Sequence, residues 1–477
     1  MESGRTKNIF ISCAVMLILT CVCLGMIVVS GVGVSLIWPI NFRQEDVILP
    51  IPIDEIVEPS APTITDEALP HSAEPPLNAD PLPEEIAEIV MEIEAQVSQI
   101  RGLTLSEPVP RRMISPEEIE DMVINDFFAE YTDEDARQDV LILSLLGLLP
   151  SDFDLKSFYN ALYSEQISGF YDSETEEIFI VKGTSFGGSE KLTYAHEFTH
   201  ALQDQTFRFD EGLDYNEEAC QDDSERCAAI RALIEGDASL TEILWFQTYA
   251  TRSDYKDIVE SFENYASPIL DNAPPYVQKE LYFPYEKGFA FVEYLFNEGG
   301  FEAVDAAYRH PPKSTEQILH PERYPWDQPR MVMLPNFEDV LGGDWILFDQ
   351  NVMGEWYTYL ILSQSYNETY RIPDEQAASA ASGWGGDAYA FYLNEQTDEV
   401  IFILDLVWDT TEDSDEFFVT LIEYANTRWD AAAERLSGQR MWRGQEGTVV
   451  LMQEGDRSLW IIAPTDALAE MILLELQ

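Results

Sequence analysis

Positive charge is scarce in this chain. Its 477 residues carry 27 Lys and Arg against 88 Asp and Glu, a formal charge of -61. Phosphate contacts need clustered Lys and Arg, so this balance excludes a nucleic-acid-binding surface and disfavours anionic lipid. The acidity reads as a solvated, self-repelling surface and carries no function of its own. Cysteine is nearly as rare: of five, Cys13, Cys21 and Cys23 fall in an apolar N-terminal run, leaving only the C-x6-C pair Cys220 and Cys227. An oxidising exterior would close that pair into a disulfide that pins its loop. Histidine also numbers five, so any grouping of histidines stands out. No repeat of fixed period is present.

What is abundant at the N-terminus is apolar sequence. No acid or base interrupts Asn8 to Phe42, and Ile9 to Ile37 is almost continuously hydrophobic. As a helix such a run spans a hydrocarbon layer of about 30 Å. Arg5 and Lys7 precede it and Glu45 and Asp46 follow, so the positive-inside rule predicts residues 1–42 to be a cytoplasmic tip and single-pass membrane anchor with the rest outside. The alternative is a signal peptide cut near Ser30-Gly31, giving a secreted protein. Residues 43–83, with Pro50, Pro52, Pro59, Pro62, Pro70, Pro75, Pro76, Pro81 and Pro83 among acidic and small residues, predict an extended stalk. His71 lies within it and is not expected to be a ligand.

Folding is expected from Glu84. Ile86, Ile89, Val90, Ile93, Val97 and Ile100 recur at helical spacing. Ser115-Pro116-Glu117-Glu118 combines an N-cap, a first-turn proline and a capping-box glutamate, opening a helix through about Phe128. A third helix covers roughly Glu134 to Leu146, closed by Gly147. Residues 169–181 read as a hairpin turning at Asp172 to Thr175, its arm Ile178 to Val181 expected at a sheet edge where an extended peptide can pair. After residue 380 the pattern changes. Strands are expected at Ala388 to Leu393, Glu399 to Trp408, Thr448 to Gln453 and Leu459 to Ala463, and helices near Asp413 to Trp429 and Ala467 to Leu476. The glycine cluster of residues 383–387 reads as a tight turn introducing this module. The fold class is thus α+β: a mostly helical domain over 84–380 with a small edge sheet, then a C-terminal α+β domain over 381–477.

The chemistry concentrates at His196-Glu197-Phe198-Thr199-His200. Residues four apart share one helix face, so two imidazoles can grip one zinc ion while the glutamate between them faces its open position. A catalytic zinc takes three protein ligands, and Glu235, in the mostly apolar stretch Ala229 to Trp245, is the third candidate. Gly236 beside it suits a close approach of backbone, and Glu242, two turns on, is placed to hydrogen-bond a ligand histidine.

With His-Glu-Phe-Thr-His followed by Glu235-Gly-Asp-Ala238, the chain resembles the glutamate-zincin metallopeptidases, where a glutamate on the next helix completes the zinc site. Pro284-Tyr-Glu-Lys-Gly288 is similar to a segment of the aminopeptidase-N and leukotriene-hydrolysing family, whose tyrosine stabilises the oxyanion, which implies that role for Tyr285. The G-x-M-E-N segment that binds a free amino group in that family is missing before His196, so endo- and exopeptidase action both stay open. The chain also resembles an uncharacterised group of bacterial and archaeal surface proteins with a zinc-peptidase-like domain.

The resemblance implies a zinc-dependent peptidase: Zn2+ held by His196, His200 and Glu235, Glu197 as general base, Tyr285 on the oxyanion, and a peptide or protein as substrate. His320, in Ser314 to Pro321, is a rival oxyanion donor or a structural histidine. The alternatives are hydrolysis of a non-peptide substrate by the same ligands and a non-catalytic surface-binding protein.

Overall fold

The computed structural model describes residues 82–123, 131–181, 186–264, 266–429, 434–436, 439–444 and 446–476. The expected anchor and all but the last residues of the stalk lie outside these. Among the described residues no helix is long and apolar enough to cross a membrane. The single-pass arrangement expected from residues 9–37 is corrected accordingly and forms no part of the function proposed below.

The N-terminal half is built on helices whose ends are written in the sequence. Helix α1 (Glu84–Arg101) buries Val90, Ile93 and Val97, the stripe its periodicity marks, and stops at Gly102 in the left-handed region (φ 75°). Strand β1 (Arg111–Ile114) leads into α2 (Pro116–Met122), opened by the Ser115/Glu118 capping box; the rest of the expected helix lies outside the described residues. Helix α3 (Asp133–Leu145) has a second capping box, Thr132 with Asp135. Helix α4 (Leu155–Gln166) precedes the hairpin of β2 (Gly169–Asp172) and β3 (Glu177–Val181).

These strands form a sheet of order β1-β3-β2. The arm at 178–181 is therefore central, not an edge as expected. Arg111 to Ile114 pairs in parallel with it, and a four-residue strand with two arginines carries too little periodicity to be read in advance. The edge that faces the metal-binding motif is β2.

Four helices then frame the site: α5 (Gly188–Phe207), the short α6 (Glu217–Asp222), α7 (Ser224–Tyr249) and, after α8 (Arg252–Asn264) and α9 (Pro268–Asp271), the long α10 (Pro275–Arg309). Cys220 and Cys227 are joined by a disulfide that ties α6 to the first turn of α7. Helix α10 is kinked at Gly299 and Gly300 and runs along α7. Next come α11 (Thr315–Leu319) and α12 (Glu338–Leu341).

The C-terminal sheet is antiparallel throughout and ordered β4-β5-β6-β10-β9-β8-β7: β4 (Trp345–Asn351), β5 (Trp384–Asn394), β6 (Glu399–Trp408), β7 (Glu434–Leu436), β8 (Gln439–Gly444), β9 (Gly447–Glu454) and β10 (Arg457–Ala463). It begins before the boundary expected at 380, because α13 (Gly354–Ser363) and α14 (Asp374–Ala381) are an excursion between its first two strands. The glycine cluster is a bulge at the start of β5 and not a simple turn, with Gly386 against the backbone of Arg330. Alternate residues of β6 feed two cores. Phe402, Leu404, Leu406 and Trp408 meet α15 (Thr411–Arg428) and the helical half, while Ile401 and Ile403 pack with α16 (Asp466–Glu475). Burial on both faces explains why β6 is apolar at successive residues from Val400 to Leu404.

Candidate metal centre

Helix α5 is buried along Leu192 to Gln203, so its polar residues need partners inside the protein. His196, Glu197, His200 and Glu235 each expose 1% of their surface or less. The α5 and α7 segments meet so that Nε2 of His196 and Nε2 of His200 lie 3.2 and 3.5 Å from the same Glu235 oxygen, Oε2. One ligand atom from each of the three residues lies within 4.8 Å of the others. The three expected ligands thus converge.

The remaining atoms of the two rings are fixed. Nδ1 of His196 donates to Oε2 of Glu242 at 2.7 Å, the role its position two turns after Glu235 suggested. Nδ1 of His200 lies 2.9 Å from Oε1 of Gln203. The Gln203 amide nitrogen donates to the Ile234 carbonyl (3.1 Å) and to Oδ2 of Asp237 (2.9 Å), so both its hydrogens are committed and its oxygen must accept from the imidazole. Each ring is left with its Nε2 turned to Glu235, the tautomer a metal needs.

The donor set fits a divalent cation on two further grounds. Nε2 of His200 and Oε1 of Glu235 are buried without a hydrogen-bond partner, a costly arrangement that a cation relieves. Burial works against a charged His196, yet hydrogen bonds to Glu235 and Glu242 hold its pKa well above the ordinary imidazole range. The field that favours an imidazolium equally favours a metal ion between these residues. Burial likewise works against ionised Glu235, but His200 and His196 hold its pKa below the usual carboxylate value.

Glu197 sits on the same helix with its Oε2 accepting from the backbone N–H of Tyr171 at 2.9 Å, off the outer edge of β2. A small cavity lined in part by Ser168, Gly169, Glu190 and Thr193 reaches Glu197. Tyr285, on α10, is buried with its ring 6.4 Å from that of His196, so the residue singled out by resemblance does belong to this cluster. Arg231, buried one turn before Glu235, lies in the field of Tyr285, Tyr215 and Glu235, which keep it charged against the cost of burial.

His320 is engaged elsewhere. Its Nε2 bonds Oε1 of Glu355 at 2.8 Å, in a cluster with Glu316 and Arg323. Glu316, Asp327 and Asp409 also lie close enough together to suggest a cation site, but Nη1 of Arg323 contacts all three carboxylates and supplies the positive charge itself.

Sequence reasoning missed Gln203, Asp237, Arg231 and Tyr171. A glutamine one turn after His200 and an aspartate two residues after Glu235 were visible, but the pairing between them exists only once α5 and α7 are packed.

A family model described as a domain of unknown function (DUF8575) matches residues 346–472, from β4 into α16. The match spans the seven-stranded sheet and lies wholly after the metal centre. No curated protein and no solved structure matches the chain.

Proposed function

We propose that this protein is a zinc-dependent peptidase. The observation that carries the proposal is the approach of two imidazole Nε2 atoms to one carboxylate oxygen, with Glu197 between the two histidines in sequence. His196, His200 and Glu235 would hold the ion, which when bound supplies a Lewis acid and lowers the pKa of a water toward neutrality. Glu197 takes the proton of the attacking water and returns it to the leaving amine. Its link to the Tyr171 N–H holds the carboxylate in place from the β2 side. The Tyr285 hydroxyl donates to the oxyanion that forms on the scissile carbonyl. Peptides are favoured as substrates because the outer edge of β2 borders Glu197, and an extended chain laid there would run past the base.

The test is zinc content together with cleavage of quenched fluorescent peptides by the purified protein, before chelation, after it and after zinc is restored. Cleavage that is lost on chelation and regained with zinc is expected. Stoichiometric zinc with no cleavage of any peptide library would turn the reading toward a different scissile bond.

A further inference from the structure

Gln203, Asp237 and Arg101 form a chain that ends on His200. Asp237 is fully buried two residues after Glu235 on α7, and three side chains converge on it. Arg101 donates through Nε at 2.8 and 3.0 Å to its two oxygens, Tyr308 donates at 3.0 Å, and the Gln203 amide donates at 2.9 Å. Arg101 closes the last turn of α1, buried to 1% exposure, with Asp305 of α10 on Nη2 at 2.7 Å and the Phe301 ring 4.6 Å from its guanidinium carbon. α1, α5, α7 and α10 thus each contribute a side chain to one buried network, whose outlet is the Gln203 oxygen on Nδ1 of His200.

An amide can turn over and present either its oxygen or its nitrogen. A buried glutamine beside a histidine therefore specifies a tautomer only when something else fixes the amide. The Ile234 carbonyl and Oδ2 of Asp237 both accept from the Gln203 amide nitrogen and so claim both its hydrogens. Arg101 donates from Nε to both Asp237 oxygens and holds the carboxyl group in that position. We infer that Gln203 is a positioning residue for the metal ligand His200, and that the Asp237–Arg101 pair locks Gln203 in the orientation that leaves His200 Nε2 free to bind metal. On this reading α1 is part of the metal centre, although all three ligands lie at least 95 residues after it in the chain. The inference rests on the proposed zinc site, and its test reads metal binding and not turnover.

Zinc affinity is measured by competition with a chromophoric chelator, and the visible spectrum of the cobalt(II)-substituted protein reports ligand geometry. Gln203→Met keeps the shape and removes the acceptor; zinc binding about 10–100-fold weaker and an altered cobalt spectrum are expected. Arg101→Lys keeps the charge but not the fork, and binding weakened about threefold to tenfold is expected. Thr199→Val removes a buried hydroxyl that donates to the Ala195 carbonyl and not to the His200 ring, and should leave affinity and spectrum unchanged. Melting curves of the metal-free proteins separate lost folding from lost binding. Wild-type affinity and spectrum in both Gln203→Met and Arg101→Lys, or an equal loss in Thr199→Val, would overturn the inference. A wild-type chain that binds no zinc would instead remove the function it rests on.

Discussion

The α-carbon of Gly236 faces the backbone carbonyl of Gly288: a β-carbon at 236 would lie 2.2 Å from that oxygen, and one at 288 would lie 2.0 Å from the carbonyl oxygen of Ala232. Helices α7 and α10 therefore touch backbone to backbone one residue after Glu235 and three residues after Tyr285. This contact sets the register that brings the tyrosine beside His196. Alanine is the better helix former by about 1 kcal/mol, so helix propensity alone predicts that Gly288→Ala stabilises. The clash is with backbone, which cannot swing aside, and overpacking should win. Gly288→Ala is expected to be less stable by about 1–3 kcal/mol in urea melts and to lose turnover disproportionately. Greater stability in that variant would mean the seam is looser than described.

The metal centre makes a stoichiometric prediction. Purified protein should hold one zinc per chain, and His200→Ala should release it, since two of the three proposed ligands do not make a stable site. Zinc binds the folded state and not the unfolded one, so chelation should also lower the melting temperature; occupancy at 1,000 times Kd corresponds to about 4 kcal/mol. Elemental analysis beside thermal melts, with and without chelator, checks both. Full zinc retention in His200→Ala would exclude His200 as a ligand.

How much of this was legible in the sequence depended on whether the signal was local. His196 and His200 lie one turn apart, so a single helix suffices to relate them, and Glu242 followed from counting two turns beyond Glu235. The capping box at Ser115 and the strand at Glu399 to Trp408 are local in the same sense. The three-stranded sheet was misread because β1 is separated from β3 by more than sixty residues, and nothing near Ile178 announces a neighbour on its far side. The early start of the seven-stranded sheet was missed because the helices α13 and α14 separate β4 from its partner. Arg101 and Gln203 stood in no motif, and Asp237 stood inside the Glu235-to-Ala238 segment with no role attached to it. Each is an ordinary polar residue until packing removes water and forces it to find a partner.

The cluster around His320 should give stability a pH dependence unrelated to the metal. Burial first, and then the neighbouring Glu355 charge, pushes Glu316 up to about 9 despite Arg323. His320 is also raised, chiefly by its hydrogen bond to Glu355. A carboxyl whose folded pKa exceeds its unfolded value binds protons more tightly in the folded state. Its stabilising contribution is complete below an unfolded pKa of about 4.3 and is lost as pH rises through about 9. His320 adds to the same trend, its contribution present below about 6.5 and lost as pH climbs through the raised folded value. Glu316→Gln stays neutral at every pH, so its stability relative to wild type should improve between pH 5.5 and pH 8.5 in urea melts. A difference that stays flat across that interval would show Glu316 to be ionised throughout.

Glu197 and Tyr285 are assigned different tasks, and substitution can separate them. Glu197 contacts the Tyr171 N–H and is not one of the three clustered ligands, so Glu197→Gln should keep zinc bound while turnover falls by at least about a hundredfold through loss of the proton acceptor. Tyr285→Phe removes one hydroxyl and keeps the ring, which packs in the core with Phe283 and Phe291 as fellow members. If that hydroxyl meets the developing oxyanion, kcat should drop by about 10²–10³ with KM and melting temperature little altered, because the bond forms only in the transition state. A fall in stability with proportionate loss of activity would mean the hydroxyl serves the core. Unchanged kcat in Tyr285→Phe would pass the oxyanion role to Arg231, a buried donor in the field of Glu235, and Arg231→Lys would then be the variant to measure.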